Sequence, residues 1–305
     1  MKERAMKSSG GKTSKQLSYL LMCAPGLLWM ILFQFVPMSG IVIAFQKFVP
    51  KKGLFGSKFI GLENFEYLFS LSEVWRVVGN TLIIAVSKLV LLLLVPLCFA
   101  LMLNRVKNMA FKKTVQTVTY LPHFISWVIL ANIITNMFGY DGVINQVIVF
   151  LGGEAELFLG DAGFFRWLLI LSDVWKEFGF NSIIFLAALS GVNPQLYEAA
   201  AIDGANSLKQ LWYVTLPGIS STVVLVLVLS LGNVLNAGFD QVYNMYNSLV
   251  MSSSDIIDTW IYRMGLIKMN FSLSTAAGLL KSVVSMILIS ASYALAYKFS
   301  DYRIF

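Results

Sequence analysis

The run from Asn193 to Pro217, NPQLYEAAAIDGANSLKQLWYVTLP, decides how this chain folds. It is the longest polar-interrupted run in the second half of a chain that is otherwise mostly lipid-soluble. Membrane-length apolar segments lie on both sides of it. Asn193 is a good helix N-cap, and Pro194 fits the first helical position, where a missing N–H costs nothing. Gln195 to Asp203 is rich in helix formers, and Gly204 supplies a stop or sharp bend. A second short helical piece follows, through Trp212 and Val214. Pro217 cannot continue a helix as an interior residue but can begin the next one. The expectation is a helix, a bend, a helix and then a membrane span. The face of Ala199, Ala200 and Ala201 is small, so another protein's backbone can approach it closely.

Composition sets the surroundings. Of 305 residues, 57% are apolar and 13% charged, against about 25% charged in soluble domains. Mean hydropathy is +0.74. These values describe an integral membrane protein in contact with a lipid bilayer. The formal charge of +7 does not form one basic patch with interleaved aromatics, so no nucleic-acid partner is expected. Cys23 and Cys98 both fall in apolar spans and imply no disulfide framework. With His123 as the one histidine, no metal cluster is expected. GxxxxGK[ST] is absent, so this chain binds no ATP through that motif.

Six spans follow from the apolar runs: about Leu17 to Phe45, Val77 to Leu103, Val115 to Phe138, Phe164 to Leu189, Ile219 to Ala237, and Ala276 to Tyr297. Each is near the roughly 20 residues needed to cross a bilayer. The first is too long for a signal peptide and reads as an uncleaved span, kinked at Pro25 or Pro37. The expected fold is an all-α membrane protein of six transmembrane helices. Residues 1–16 form a basic cytoplasmic tail, residues 17–305 the membrane domain, and residues 193–217 a cytoplasmic segment. Lys and Arg placement puts twelve basic residues inside and eight outside. That bias makes both termini cytoplasmic.

Polar residues within spans are costly and mark function or helix–helix contacts. Lys88 is deep, and a carboxylate of the fourth span is a possible partner. Lys281 is read as snorkelling to the outer interface. The fourth span carries Asp173, Trp175, Lys176, Glu177 and Asn181, with Asp173 spaced for a local pair with Lys176. In the fifth, Asn233, Asn236 and Asp240 fall at i, i+3 and i+7, on one helical face. Amides hydrogen-bond sugar hydroxyls, and aromatics such as Phe239 or Trp175 stack on a pyranose. Trp175, Asn181, Asn233, Asn236, Phe239 and Asp240 are therefore the substrate-path candidates. Interhelical packing is the competing role for each.

The spacing in the opening stretch carries a resemblance. Glu198-Ala199-Ala200, then Asp203-Gly204-Ala205, then Val214 and Leu216-Pro217, resembles the signature of ATP-binding-cassette (ABC) importer permeases. The usual isoleucine is Val214 here. Stretches NTLIIA (80–85), SDVWKEFGFNSIIFLAAL (172–189), LGNVLNAGFDQVYNMYN (231–247), DTWIYRMGL (258–266) and TAAGLLKSVV (275–284) resemble the carbohydrate-uptake branch, related to the maltose and glycerol-phosphate systems. Within that branch the chain looks most like polysaccharide or oligosaccharide permeases. The resemblance implies a type I importer permease fold in a bacterial cytoplasmic membrane. It implies a coupling helix that docks on a cytoplasmic ATPase dimer, with ATP and Mg held there and no cofactor on this chain. Glu198 would contact the ATPase electrostatically, the alanines would fill its cleft, and Gly204 would allow the bend. A second permease subunit, non-identical in this branch, and an extracytoplasmic sugar-binding protein complete the implied assembly. Two rivals remain at this point. One is an ion-coupled secondary transporter using Asp173, Lys176 and Glu177. The other is a membrane enzyme, for which no acid–base or metal constellation is visible.

Overall fold

Most helices carry their large apolar side chains outward. Tyr19, Leu20, Leu21, Met22, Trp29 and Phe33 on the first helix are all more than half exposed. A water-soluble protein would bury such a surface; lipid solvates it. The computed structural model describes residues 9–232 and 234–300. The first eight residues of the basic tail, Asn233 and the last five residues, Arg303 among them, lie outside the described residues. Five stretches are long and apolar enough to cross a membrane: Tyr19–Phe45, Ser72–Asn104, Trp127–Phe150, Ser207–Gly232 and Phe271–Ala294.

The chain begins with α1 (Ser9–Met30) and continues through a π turn (Ile31–Phe35) and a 3-10 segment (Ser39–Phe45). A two-residue antiparallel pair follows, β1 (Gln46–Lys47) with β2 (Lys58–Phe59), in register Gln46↔Phe59 and Lys47↔Lys58. An all-helical expectation misses this small hairpin. Then come α2 (Glu63–Ser70) and α3 (Ser72–Asn104). The third apolar run is not one helix as expected. It divides into α4 (Met109–Tyr120), a 3-10 turn at Leu121–Phe124, and α5 (Trp127–Phe138), with α6 (Val143–Phe150) after a turn. Pro122 denies the helix a donor, and Ser126 caps the restart by accepting from the Ile129 amide.

The long helix α7 (Ala162–Ser190) packs along α3 more extensively than any other pair of elements. It spans 29 residues but carries Arg166, Asp173, Lys176 and Glu177. These charges face protein. Lys176 is buried, and Glu177 is 21% exposed and bridged to it at 2.7 Å. The expected local pair between Asp173 and Lys176 does not form. Asp173 instead meets Lys88 of α3 at 3.2 Å, the pairing the depth of Lys88 suggested. Glu177 takes Lys176 on one oxygen, and its other lies 2.7 Å from Nδ1 of His123 in the 121–124 turn.

The 193–217 stretch forms α8 (Pro194–Ile202) and α9 (Ser207–Gln210). No break occurs at Pro217. A π turn at Leu211–Thr215 leads directly into α10 (Leu216–Gly232). In this turn the Leu216 amide donates to the Leu211 carbonyl, just before Pro217. The same device precedes Pro37, where Val36 donates to Ile31. Widening the turn by one residue relieves the clash between a proline ring and the carbonyl four residues back.

The expected fifth span ends early. α10 stops at Gly232, and α11 (Phe239–Met245) begins after Gly238, whose φ is +95°. A left-handed residue cannot continue an α-helix. Asn236 and Asp240 therefore do not share one helical face, and the i, i+3, i+7 reading of Asn233, Asn236 and Asp240 fails. The break is held from outside. Lys88 donates to the freed Ala237 carbonyl at 2.8 Å and to Oε1 of Gln241 at 2.5 Å. Gln241 in turn donates to the Leu169 carbonyl and the Ser172 hydroxyl of α7. After α12 (Ile257–Tyr262), the chain closes with α13 (Phe271–Ser300), which packs on α10 and on the 39–45 segment.

Two outcomes follow from this break. Gly238→Ala places a Cβ 3.0 Å from Nζ of Lys88 at a backbone angle that costs about 1–3 kcal/mol for a side chain; the detergent-solubilised protein should melt measurably earlier. Lys88→Met leaves the partly buried Asp173 carboxylate without its cation and should cost about 2–3 kcal/mol. Adding Asp173→Asn should recover at least half of the lost melting temperature. A double variant no more stable than Lys88→Met would refute the pairing.

Candidate functional site

Two ends of the molecule can be told apart from contacts alone. Arg105, just past the last turn of α3, donates from Nη2 to the Ser207 carbonyl at 2.9 Å. The coupling stretch therefore lies at the C-terminal end of α3. At the N-terminal end Glu73 accepts from Arg263, and Asn80 donates to the carbonyls of Ser252 and Asp255. Thirty-three residues separate these ends, about 50 Å of helix. That exceeds the roughly 30 Å hydrocarbon core.

At the first end, Asn193 accepts from the Gln195 amide and so caps α8, and Asn206 accepts from Lys209 and caps α9. Between them the Ala205 amide donates to Ala200 at 2.8 Å and Gly204 to Ala201 at 3.1 Å. This 6→1 and 5→2 pair is a Schellman closure, with Gly204 at φ +75°. Tyr197 anchors the segment from below through a 3.1 Å hydroxyl contact with Thr215. Among the described residues the opposite surface is unpartnered. Glu198, Ala199, Ala201 and Asp203 are exposed, Ala200 and Ala205 are half-buried, and Ile202 is 87% exposed. Leu216 and Pro217 sit behind, at the root of α10. The helix thus presents small side chains, one carboxylate and one large apolar group on a capped, bent mount.

In the middle of the bundle an open cavity of about 630 Å³ lies between α3, α7 and α10. Its polar lining includes Lys88, Asp173, Asn181, Ser230 and Asn236. Asn181 and Asn236, two of the residues singled out from the sequence, thus share one cavity although one lies on α7 and the other in the break between α10 and α11. Asn236 also accepts from Lys281 at 2.8 Å, and Lys281 reaches Asp258 of α12 at 2.5 Å. Lys281 does not snorkel to the interface; it is paired inside. Both cations near the break are already engaged by carboxylates and carbonyl-type oxygens.

Phe239 stands elsewhere. It lines a separate cleft with Asp258 and Tyr262, inside an aromatic group with Tyr243 and Tyr246. Phe239 and Tyr243 stack with centroids 5.4 Å apart, and Tyr262 lies 5.5 Å from Phe239 and 4.9 Å from Tyr243. Asp240 is exposed at the start of α11, and Trp175 is half exposed on α7, outside either concavity. Asn233 falls outside the described residues. Reading the sequence for polar residues missed Tyr243, Tyr246 and Tyr262. Their signal was available: Phe239, Tyr243 and Tyr246 are spaced i, i+4 and i+7 once a helix starts after Gly238.

A second missed group caps the N-terminal end of α3. Arg263 grips Asp255 with two bonds, 3.0 and 2.6 Å, and Glu73 with a third at 3.0 Å. Burial favours the neutral guanidine, but Asp255 and then Glu73 outweigh it and raise the Arg263 pKa, so its charge is fixed. Arg166 of α7 donates to Asn80 at 3.0 Å and to the Ser253 carbonyl. These contacts tie three distant segments into one cap.

The charges that an ion-coupled carrier would use are spent on structure. Asp173 is tied to Lys88, and Glu177 to Lys176 and His123, whose ring also stacks on Phe180 at 3.9 Å.

Comparison with known proteins agrees with the geometry. Residues 93–305 match the family described as binding-protein-dependent transport system inner membrane component. The chain is 44% identical to the polygalacturonan/rhamnogalacturonan transport system permease protein YteP of Bacillus subtilis, over 95% of this chain and 91% of that protein. It is 43% identical to protein LplB of the same organism, over 94% and 90%. Among solved structures it resembles a bacterial ABC transporter involved in import of the acidic polysaccharide alginate. The TM-score is 0.89 at 33% identity, covering 95% of this chain and 98% of that one. The same kind of transporter, in complex with an alginate pentasaccharide-bound periplasmic protein, gives a TM-score of 0.87 at 32% identity, over 95% and 97%. The match covers more than two thirds of the chain, so this helical protein, with its capped and bent 193–217 segment at one end of the bundle, belongs to the family of binding-protein-dependent transport system inner membrane components and is a multi-pass transport permease rather than an enzyme.

Proposed function

We propose that this chain is one permease subunit of an ATP-driven importer for an oligosaccharide or polysaccharide fragment. The observation that carries the reading is the α8 mount. It is a short capped helix bent at Gly204, exposing Glu198 and small side chains that no described residue covers. Such a surface needs a partner with a cleft, and an ATPase dimer holding ATP and Mg supplies one. The remainder of the assembly is a second, non-identical permease and an extracytoplasmic sugar-binding protein. The sugar class is supported by the names of the similar proteins, which refer to polygalacturonan/rhamnogalacturonan transport and to import of the acidic polysaccharide alginate.

In this reading α7 also crosses the bilayer, fourth in chain order, and brings the spans to six, its charges covered by α3 and the 121–124 turn. Both termini, including the basic tail 1–16, then face the cytoplasm, and residues 17–305 form the membrane domain of a bacterial cell membrane protein. Nucleotide-driven closure of the ATPases moves α8 and α9. Because α9 runs without a break into α10, the displacement reaches the cavity that Ser230 of α10 and Asn181 of α7 line. Asn181 and Asn236 offer amides to sugar hydroxyls, and Phe239 with its tyrosine neighbours offers faces for stacking. Trp175, Asn233 and Asp240 remain candidates for surfaces completed by the second permease.

Tagging this chain and identifying what co-purifies from native membranes tests the assembly. A P-loop ATPase and a second permease are expected; the chain alone, in mild detergent, would refute it. Glu198→Lys should cut recovery of the ATPase at least severalfold and abolish ATP-driven uptake while the protein still inserts. Asn181→Ala should raise the KM for sugar uptake about tenfold, the loss of one or two hydrogen bonds, and leave basal ATP hydrolysis unchanged.

A further inference from the structure

The hairpin that follows the first span has properties a connecting loop does not need. Lys47, Lys51, Lys52 and Lys58 are all exposed, and none forms an ion pair with a described residue. Phe55 at the tip is fully exposed, and Phe59 is two-thirds exposed. The hairpin precedes the N-terminal end of α3, opposite the coupling segment, so it lies on the outer face. Four lysines in a short outer loop oppose the charge bias that orients the chain. They weaken its topology signal and bring no internal pairing in return.

The tip is also held rigidly. The Val49 amide donates to the Ser57 hydroxyl at 3.0 Å, which donates to the Gly53 carbonyl at 2.7 Å. Gln46 donates to the Leu54 carbonyl at 2.9 Å. The root is fixed to the first turn of α13, where the Phe48 amide donates to Ser272 at 2.9 Å and Phe48 meets Phe271 edge-on. An apolar knob ringed by cations, with its ordering cost already met within the chain, has the anatomy of a protein-interface anchor. It is convex, whereas small-ligand sites are concave. Its mooring on the first turn of α13 holds it at the end of the bundle opposite the 193–217 segment.

We propose that the 46–59 hairpin is the docking knob for the extracytoplasmic sugar-binding protein, with Phe55 entering an apolar depression and Lys51 and Lys52 facing an acidic rim on that partner. The inference rests on the importer reading above, and it assigns the partner's chemistry: an acidic surface around an apolar hollow. Opposite charge on the two faces speeds encounter and makes binding salt-dependent.

The test uses the intact complex in phosphatidylcholine nanodiscs, titrated with the sugar-loaded binding protein that co-purifies with it. Lys51→Glu/Lys52→Glu should raise Kd about tenfold or more and remove most of its salt dependence. Phe55→Ala should raise Kd by a similar factor without changing the salt dependence. Basal ATP hydrolysis and the sugar affinity of the isolated binding protein should not move. Wild-type Kd in both variants overturns the proposal. A defect confined to nanodiscs containing phosphatidylglycerol would make the hairpin a lipid anchor instead. Weakened capture of free oligogalacturonide, with Kd for the binding protein intact, would make it a sugar-collecting surface. If no extracytoplasmic protein binds or stimulates the wild-type complex, the importer reading fails together with this one.

Discussion

A lysine ammonium inside a membrane bundle has to be surrounded by acceptors, and the position of Lys88 constrains everything near it. Its three partners come from two other parts of the chain: Asp173 of α7, and Ala237 and Gln241 around the interrupted helix. The carbonyl of Ala237 is available only because the helix stops before it. The charge and the interruption therefore require each other. Remove the break and the lysine loses an acceptor; remove the lysine and a freed carbonyl sits in an apolar interior. Lys281 repeats the arrangement from the other side, through Asp258 and Asn236.

The polar contacts fall at three depths, and each joins helices that are distant in sequence. Arg263, Asp255 and Glu73 close one end; Lys88 and Lys281 grip the middle; Arg105 and Tyr197 secure the coupling end. In lipid there is little hydrophobic gain from helix association, so such contacts and close packing do much of the joining. The concave surfaces lie between these ties, where α7 and α10 diverge and where α11 meets α12.

Much of this was legible in the sequence, for reasons that can be named. Asn193, Pro194 and Gly204 are local signals, and the helix, bend and helix they call for are present because capping and left-handed closure are decided within a few residues. The apolar runs located most helices, since lipid demands length. What escaped was tertiary. Apolarity alone cannot distinguish one helix from two, so the 121–124 turn and the end of α10 at Gly232 were read through. Once α10 was drawn too long, Asn236 and Asp240 were placed on a face they do not share. The cap of Arg263, Asp255 and Glu73 escaped because Glu73 lies 190 residues from Arg263 in the chain. Asn181 was identified by its chemistry alone, and the structure sets it beside Asn236 in one cavity, whose use the site proposal addresses.

The two wide turns ahead of Pro37 and Pro217 have a mechanical consequence. Each inserts one residue into an otherwise regular helix, which advances the azimuth of everything beyond it by roughly 100°. The 193–210 segment and α10 are thus clocked relative to one another by the turn ahead of a proline thirteen residues beyond Gly204. A helix of ordinary pitch across Leu211–Thr215 would aim α8 along a different bearing, with every local cap intact. The direction in which α8 points relative to α10 is set by the winding of that one turn.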